Sequence, residues 1–297
     1  MTFLVTGATG FIGRKLIGRL LERGDSINYL ARKRAKNFDS RAAYHCWNGH
    51  DAPPLKSVPR LDAIVHLMGE PIAQRWSAEV KKRIYSSRVD ATRKLVTAIG
   101  ELPHKPSVLI SASATGFYGN RGDEILTEAS PPGSGFLAEV CRDWEHEALR
   151  ARDMGLRVVT VRTGVVLGRD GGALPQMLMP FRLGLGGKFG DGRQWMSWIH
   201  VDDLVRLYLF AADSQAVSGP LNGSSPNPVT NATFTQTLAR AVHRPAIFSV
   251  PKFALNLALG EMAGFLFDSQ RVLPQAVESG GFAFEYPELA STLKMLS

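Results

Sequence analysis

Three glycines near the start of the chain have the spacing that can hold a phosphate group. Gly7, Gly10 and Gly13 follow an apolar run and precede a helical pattern. Gly7 can adopt backbone angles closed to other residues, Gly10 has no Cβ to block a pyrophosphate, and Gly13 lets the helix pack closely. The alternative is a glycine turn without a ligand. We predict a dinucleotide site at the helix N-terminus, with the cofactor-binding residues Gly7, Thr9, Gly10, Phe11, Ile12 and Gly13.

A basic segment follows the second predicted strand, residues 26–30. Dinucleotide folds that use NAD usually place an acid here to bind the ribose 2′-hydroxyl. This chain has Arg32 instead, and a guanidinium can bind phosphate oxygens bidentately. We therefore predict that the cofactor is NADP(H) and that Arg32 binds its 2′-phosphate. The alternative is an exposed basic turn.

Further candidates follow from the rule that ligands bind at the carboxyl ends of parallel strands. One apolar strand, residues 61–69, ends at Leu67, Met68 and Gly69, and another, residues 107–113, ends in small hydroxyl residues. Arg88 lies on the helix between them and could contact the cofactor phosphates or ribose, unless it is a solvated helix arginine. The remaining predicted cofactor-binding residues are Leu67, Met68, Gly69, Arg88, Ser111 and Val166.

Strand and helix patterns alternate through about the first 165 residues, which predicts an α/β fold with a Rossmann-type, doubly wound parallel sheet. Helices are expected at residues 78–98, 136–152 and 204–212, the last with Asp202 or Asp203 as its N-cap. Residues 253–267 read as an amphipathic helix. We predict a nucleotide-binding domain of residues 1–170 and 195–218 and a smaller substrate lobe of residues 171–194 and 219–297.

Composition narrows the class of protein. The 297 residues are 44% hydrophobic and 21% charged, as in a globular enzyme. The net charge of +8 is dispersed and no nucleic-acid-binding module occurs, so we expect no nucleic-acid partner. Two cysteines favour a reducing compartment, and without a signal-peptide pattern or a long apolar run we expect a cytoplasmic protein with no membrane partner. No His, Cys, Asp and Glu spacing indicates a metal site.

Several longer motifs strengthen the interpretation. The chain resembles the extended short-chain dehydrogenase/reductase superfamily in its glycine turn and in the segment from Ser111 to Gly119. It is most similar to the atypical, epimerase-like NADP-binding family with a characteristic C-terminal segment, some members of which carry a cell-division-inhibitor label. The motifs are residues 69–72, 75–76, 87–88, 111–114, 180–187, 198–200, 271–275 and 286–289. The match covers essentially the whole chain.

The resemblance also exposes a gap in the expected catalytic machinery. The superfamily uses a tyrosine whose pKa is lowered by a lysine four residues later. Phe136 and Val140 occupy those positions here, and neither can move a proton. The superfamily's serine is retained as Ser113, and Tyr118 carries the nearest hydroxyl, so we predict these two as the catalytic residues. Glu139, Cys141 or a bound water remain alternatives.

The resemblance also implies a set of substrate-binding residues. They are Arg75, Trp76, Arg193 and Trp198. The implied partner is a small molecule, with phosphorylated and nucleotide-linked compounds as the leading classes, and relatives allow a homodimer. Two functions stay open: an NADP-dependent oxidoreductase or epimerase-like enzyme, and a non-catalytic NADPH-binding sensor.

Overall fold

A seven-stranded parallel sheet forms the centre of the computed structural model, which describes residues 1–35 and 38–297. The strands are β1 Thr2–Thr6, β2 Ser26–Ala31, β3 Ala42–Cys46, β4 Ala63–His66, β5 Val108–Ala114, β6 Ile125–Leu126, β7 Arg157–Thr163, β8 Val165–Gly168, β9 Gly171–Gly172, β10 Gly187–Phe189, β11 Trp195–Met196, β12 Trp198–His200, β13 Gly219–Gly223, β14 Val229–Thr230, β15 Phe248–Val250 and β16 Arg271–Val272. The helices are α1 Phe11–Glu22, α2 Ala78–Ser86, α3 Val89–Gly100, α4 Phe136–Leu149, α5 Leu174–Arg182, α6 Val201–Asp213, α7 Asn231–Ala241, α8 Lys252–Leu259, α9 Met262–Phe265, α10 Gln275–Ser279 and α11 Leu289–Leu296.

The strand order of the main sheet is β13-β7-β5-β4-β1-β2-β3. The chain runs outward from β1 to β3 and then returns to the other side of β1 with β4. This reversal between β1 and β4 opens a crevice at the carboxyl ends of the strands, where open α/β sheets bind ligands. The predicted doubly wound α/β fold is confirmed.

Alternating apolar side chains bury both faces of the sheet. Phe3 and Val5 of β1 belong to a core that includes the inner faces of α1 and α6. Leu4, between them, belongs to a second core with Leu95 and other residues of α3. The period of two along β1 therefore places a helical layer on each side of the sheet.

A third core holds the smaller C-terminal lobe together, where Leu167, Leu174, Phe234 and Leu293 pack against one another. Residues 219–223 do not belong to this lobe, contrary to the predicted boundary. They form β13, which pairs with β7 at the edge of the main sheet. The prediction missed this strand because Gly-Pro-Leu-Asn-Gly has no apolar run. The rest of the predicted domain division stays a prediction.

Two predicted helices are each interrupted in the structure. Residues 78–98 contain all of α2 and most of α3, separated by Ser87 and Arg88. Residues 253–267 contain most of α8 and all of α9, separated by Glu261 and by Gly260, which has a φ of 62°. In the described part of the chain, no helix is both long enough and apolar enough to cross a membrane.

The N-cap of α6 is His200, not Asp202 or Asp203. The His200 Nδ1 accepts the backbone N–H of Asp202 at 3.2 Å. The buried Asp203 carboxylate instead accepts the backbone N–H groups of Glu285 and Tyr286, each at 2.9 Å. It therefore fastens the C-terminal segment to α6, a long-range contact that the local sequence does not reveal.

Candidate functional site

The glycine turn fits tightly against the end of β4. Gly7 has a φ of +66°, and a Cβ added there would lie 2.6 Å from the Leu67 carbonyl carbon. A Cβ at Gly13 would overlap the Gly7 carbonyl oxygen and lie 2.7 Å from the Ala8 Cα. Both positions therefore require glycine, because the turn, the start of α1 and the β4 end meet there without room for a side chain.

Gly10 differs from the other two glycines because the space beside it is open. A Cβ at Gly10 would meet only the Gly7 carbonyl oxygen, at 3.2 Å. Thr9 and Gly10 are exposed, and Gly10 is the N-cap of α1, which has no side-chain cap and no acid in its first turn. Its first N–H groups and its positive dipole end are available to an anion, which is the arrangement that a pyrophosphate fits.

The next two predicted residues, Phe11 and Ile12, are half-buried in the first turn of α1. The Phe11 ring packs against the hairpin of β8 and β9. A Cβ at Gly171 would lie 2.6 Å from Phe11 Cγ, so this hairpin closes over the ring only because it has glycine there. The Phe11 side chain thus anchors the start of α1, while the Phe11 backbone follows directly on the glycine turn.

Arg32 follows directly after β2, which is the neighbour of β1 in the sheet. Its side chain is exposed, as are those of Lys33 and Arg34. The Cys46 thiol donates to the Arg32 carbonyl oxygen at 3.7 Å and ties the segment to β3. Arg32 and the glycine turn therefore follow the ends of neighbouring strands, and the binding of a ribose 2′-phosphate by this exposed guanidinium stays a prediction.

The end of β4 is fixed by a buried histidine that sequence reasoning missed. His66 Nδ1 lies 2.7 Å from the Thr6 hydroxyl, and Nε2 lies 2.9 Å from the Thr92 hydroxyl. The Thr92 hydroxyl donates to the Arg88 carbonyl oxygen, so it accepts from His66 Nε2–H. Burial lowers the pKa of His66 to about 3, so the ring is neutral. It joins β1, β4 and α3 beneath the turn.

We expect His66 to make stability depend on pH. The neutral ring stabilises the fold fully above the usual pKa of 6.5, and this contribution is lost as the pH falls toward the folded value of about 3. The free energy of unfolding should fall by about 1.4 kcal/mol per pH unit in that window. Urea titrations of the protein and of His66→Gln should differ in this slope, whereas the exposed His50→Gln should keep it. Equal slopes in all three proteins would contradict the prediction.

Beyond β4, Leu67 and Met68 are half-buried and Gly69 is exposed. The Arg88 guanidinium covers Gly69, where a Cβ would lie 2.9 Å from Arg88 Cζ. The same Cζ lies 5.3 Å from the centre of the Trp144 ring. Arg88 thus connects the end of β4 to α4.

Arg88 is a largely desolvated cation. Burial lowers its pKa, while the charge of Glu70 opposes that change. Among the described residues, its side chain donates one hydrogen bond, to the Ile84 carbonyl oxygen at 3.3 Å. Most of its N–H groups therefore remain available to oxygen atoms of a ligand, and the cofactor-binding role of Arg88 stays a prediction.

Two other predicted cofactor-binding residues occupy less open positions. Ser111 is fully buried in β5, and its hydroxyl donates to the Ala112 carbonyl oxygen at 3.1 Å. Val166 is half-buried in β8, close enough to Gly172 that a Cβ there would overlap the Val166 carbonyl oxygen. The Ser111 hydroxyl therefore has no path to a ligand.

Ser113 and Tyr118, the predicted catalytic residues, come together in a buried polar network. The Ser113 hydroxyl donates to Glu145 at 2.6 Å, and the Arg162 guanidinium binds both oxygens of Glu145 at 2.9 Å. The Tyr118 hydroxyl accepts from Arg162 at 3.0 Å and lies 2.7 Å from Asn222 Oδ1. Each polar atom of the network is thus already engaged within the protein.

This environment is the wrong one for proton exchange with a ligand. Tyr118 is fully buried, and burial raises the pKa of its hydroxyl to about 12 although Arg162 and Asn222 oppose the rise. Ser113 is 3% exposed. The prediction that these hydroxyls serve catalysis is therefore corrected: both are held in the interior, because Arg162 and Glu145, distant in sequence, bind them there.

A cleft of about 210 Å³ opens at the start of α4. Its lining residues are Trp76, Gly116, Gly119, Ser134, Gly135, Phe136, Leu137, Ala138, Glu261, Phe265 and Asp268. The Trp76 and Phe136 rings meet edge to face with centres 5.4 Å apart. The floor is tight: a Cβ at Gly119, where φ is +62°, would lie 2.9 Å from the Ser134 carbonyl oxygen.

Of the predicted substrate-binding residues, Trp76 lines this cleft. Arg75 lies outside it and donates to the Leu257 carbonyl oxygen at 2.8 Å. The Arg193 side chain is 90% exposed and lies 3.7 Å from Asp191. Trp198 is fully buried in the C-terminal lobe, and its Nε1 donates to the Asn227 carbonyl oxygen at 3.0 Å. The prediction for Trp198 is therefore wrong, because this ring is part of a core.

Two residues of α4, Glu139 and Cys141, are the alternatives to Tyr118 as proton donor, and both lie away from the cleft. Glu139 is exposed, and Cys141 is fully buried with its thiol pKa raised to about 12 by burial and by Glu145. Asp268, which sequence reasoning missed, lines the cleft instead. The available signal was a lone carboxylate directly after the apolar residues 265–267. Among the described residues, no group of His, Cys, Asp and Glu has the geometry to hold a metal ion.

Comparison with known proteins shows the family of the chain. Residues 3–222 match the model of the NAD dependent epimerase/dehydratase family. The chain belongs to this family. Residues 250–296, which include Asp268, match a domain of unknown function, DUF1731. The expected resemblance to epimerase-like short-chain dehydrogenases is thereby confirmed, together with its C-terminal segment.

Relatives in this family match over the whole chain. The epimerase family protein SDR39U1 homolog of Arabidopsis thaliana is 42% identical, over all of this chain and 86% of its own length. The epimerase family protein YfhF of Bacillus subtilis is 39% identical, over all of this chain and 98% of its own. The crystal structure of human epimerase family protein SDR39U1 (isoform 2) with NADPH superposes with a TM-score of 0.89 at 34% identity, over all of this chain and 99% of that one.

Proposed function

We propose that this protein is an NADP(H)-dependent oxidoreductase or epimerase-like enzyme acting on a small molecule. The observation that carries the proposal is the open Gly10 turn before the uncapped helix α1, at the switch point between β1 and β4. The human relative that is similar over its whole length was crystallised with NADPH, which supports this cofactor. The free thiols of Cys46 and Cys141 favour a reducing compartment such as the cytoplasm.

The residues present fit the proposed cofactor from one end to the other. Gly10 and the first N–H groups of α1 would hold the pyrophosphate, and Arg32 would hold the 2′-phosphate. Leu67, Met68 and Gly69 would line the path to Arg88, whose free N–H groups would bind oxygen atoms of the ribose or phosphates. When bound, the nicotinamide supplies or takes up a hydride. The chain must then bind the substrate, exclude water and move a proton.

The competing function is a sensor that binds NADPH without turnover. It is favoured by Phe136 and Val140, which replace the proton-transferring pair, and by the buried position of Tyr118. A preformed cleft beside Phe136 favours the enzyme. Following NADPH absorbance against a panel of carbonyl compounds distinguishes the two, because a sensor would bind NADPH tightly and leave its absorbance unchanged.

We expect NADP(H) to bind more tightly than NAD(H), because Arg32 offers a positive charge to the 2′-phosphate. Arg32→Ala should remove most of this preference, a change on the order of 1.5–3 kcal/mol for a charge-assisted hydrogen bond. Fluorescence titration with NADPH and NADH measures it. Arg60→Ala is the matched control. Arg60 is also exposed, but it precedes β4 at the amino ends of the strands, whereas Arg32 follows β2 at their carboxyl ends. Equal affinities for the two cofactors in the unmodified protein would contradict the prediction.

A further inference from the structure

One carboxyl group of the cleft has no role in the function described so far. Asp268 follows α9 and is half-buried on the cleft wall, together with the Trp76, Phe136 and Phe265 side chains. Phe136 is the residue at the position where the resemblance places a proton-transferring tyrosine. The cleft therefore brings a titratable group to the place where the expected one has been lost.

Both neighbours of Asp268 in the chain are anchored elsewhere. Phe267 packs against Phe189, with ring centres 6.4 Å apart. The Ser269 backbone N–H donates to Asn120 Oδ1 at 3.1 Å, and its hydroxyl donates to the Gly122 carbonyl oxygen at 2.6 Å. These contacts hold the Phe267 ring against β10 and Ser269 against the loop after Gly119. The carboxyl group is thus presented to the cleft by a fixed segment.

The two acids of the cleft differ in their partners. Glu261 is exposed and forms an ion pair with Lys81 at 2.7 Å. Within residues 1–35 and 38–297, no side chain forms a hydrogen bond or ion pair with the Asp268 carboxyl group, which is therefore free to bind a ligand. Burial raises its pKa, and the charge of Lys252 opposes the rise only in part. Of the two acids, Asp268 is the one suited to exchanging a proton.

The lining also restricts the chemistry of the substrate. Glu261 and Asp268 are the charged residues that line the cleft, and the arginines predicted to bind phosphate lie elsewhere. An unpaired carboxylate repels an anion, so a phosphate group is disfavoured here. About 210 Å³ is also less than the usual ligand pocket of about 300 Å³ or more. A small neutral molecule with a ring or short apolar chain fits best.

The start of α4 offers a second element for such a substrate. The helix begins after Gly135, which has a φ of 98° and provides no side-chain cap. Phe136, Leu137 and Ala138 line the cleft, and their N–H groups belong to the uncapped first turn. A carbonyl or hydroxyl oxygen of the substrate could accept a hydrogen bond there while it exchanges a proton with Asp268.

We propose that Asp268 is the proton donor and acceptor of this enzyme and that its substrate is a small neutral carbonyl compound or the corresponding alcohol. This inference rests on the proposed function. In the direction of reduction, the carbonyl carbon accepts a hydride from the reduced nicotinamide, and the carbonyl oxygen accepts the proton of the Asp268 carboxyl group. The products are the alcohol, oxidised nicotinamide and the Asp268 carboxylate. Oxidation of the alcohol reverses each transfer.

The proposal fixes the sign of the pH dependence. Reduction requires protonated Asp268, so kcat should fall as the pH rises through its pKa, and oxidation should show the opposite trend. The charged groups that face Asp268 are Lys252 of α8, Glu261 between α8 and α9, and Lys81 of α2, which pairs with Glu261. Glu261 is engaged by Lys81, whereas Asp268 has no such partner among the described residues, so the profile should follow Asp268.

The test compares the protein with Asp268→Asn, using benzaldehyde as the neutral probe and para-carboxybenzaldehyde as its anionic counterpart. We expect the unmodified protein to oxidise NADPH faster with benzaldehyde than with para-carboxybenzaldehyde. Asp268→Asn should lose about a hundredfold or more in kcat, together with the pH dependence, at unchanged NADPH affinity. In protein labelled with carbon-13 at its aspartate carboxyl groups, the resonance that is absent from the spectrum of Asp268→Asn belongs to Asp268. This resonance should titrate at a higher pH than the resonances of the other aspartates. Asp153→Asn, an exposed acid before β7, is the control for each measurement.

The outcomes separate the inference from the function on which it rests. Retained kcat in Asp268→Asn, or a preference for the anionic probe, would overturn the assignment of Asp268 or of the substrate class while the enzyme stands. If the unmodified protein binds NADPH but oxidises it with neither probe, the proposed enzyme and the inference both fall, and the sensor function takes their place.

Discussion

Replacing Gly10 with valine is expected to abolish NADPH binding while the protein still folds. The space beside Gly10 is open, since an added Cβ meets only the Gly7 carbonyl oxygen at 3.2 Å, and its φ of −75° suits any residue. A valine side chain would occupy the volume that the pyrophosphate needs. We expect affinity to fall by about a hundredfold or more, which corresponds to about 2.7 kcal/mol. Fluorescence titration and thermal unfolding together check both halves of the prediction.

Gly13→Ala is the contrasting variant, because the two glycines serve different purposes. Its methyl group would overlap the Gly7 carbonyl oxygen, so the cost should appear as about 1–3 kcal/mol of stability. Gly18→Ala is the control on the same helix, where an added Cβ meets nothing within 4 Å and the helix propensity of alanine should raise stability by about 1 kcal/mol or less. Unchanged NADPH affinity in Gly10→Val would mean that the turn does not hold the dinucleotide.

The second large effect is expected at the buried ion pair of Arg162 and Glu145. Glu145→Gln keeps the shape of the side chain but leaves the Arg162 guanidinium without its counter-charge at a site where Arg162 is 4% exposed. Burial disfavours that charge, and at present the hydrogen bonds and charge of Glu145 outweigh burial and raise the Arg162 pKa. Breaking such a pair costs about 3–5 kcal/mol. Urea denaturation should show this as a lower midpoint.

The control for this variant lies on the same helix. Glu139 is an exposed acid in the first turn of α4, so Glu139→Gln should change stability by about 1 kcal/mol or less, mainly through the helix dipole. Similar midpoints for Glu145→Gln and the unmodified protein would show that the network contributes little. A loss of stability in Glu145→Gln would confirm that Ser113 and Tyr118, which bind the same ion pair, belong to the interior of the protein.

Several features of this protein were determined by its sequence alone. The glycine spacing after an apolar run predicted the turn, because the requirement for glycine is local: backbone angles and the absence of a Cβ act within a few residues. The alternation of apolar runs and helical patterns predicted the parallel sheet for a similar reason, since each element must bury its own apolar face. Gly7, Gly10 and Gly13 consequently lie where the pattern predicted them.

The tertiary structure decided which polar side chains face a ligand. Tyr118 and Trp198 have residue types suited to binding, yet both are buried, because their surroundings come from Arg162, Asn222 and the C-terminal lobe. Asp268 shows the converse, since its position in the cleft depends on Asn120 and on the first turn of α4, more than a hundred residues earlier. Burial and pairing are set by residues distant in the chain, so no local pattern could reveal them.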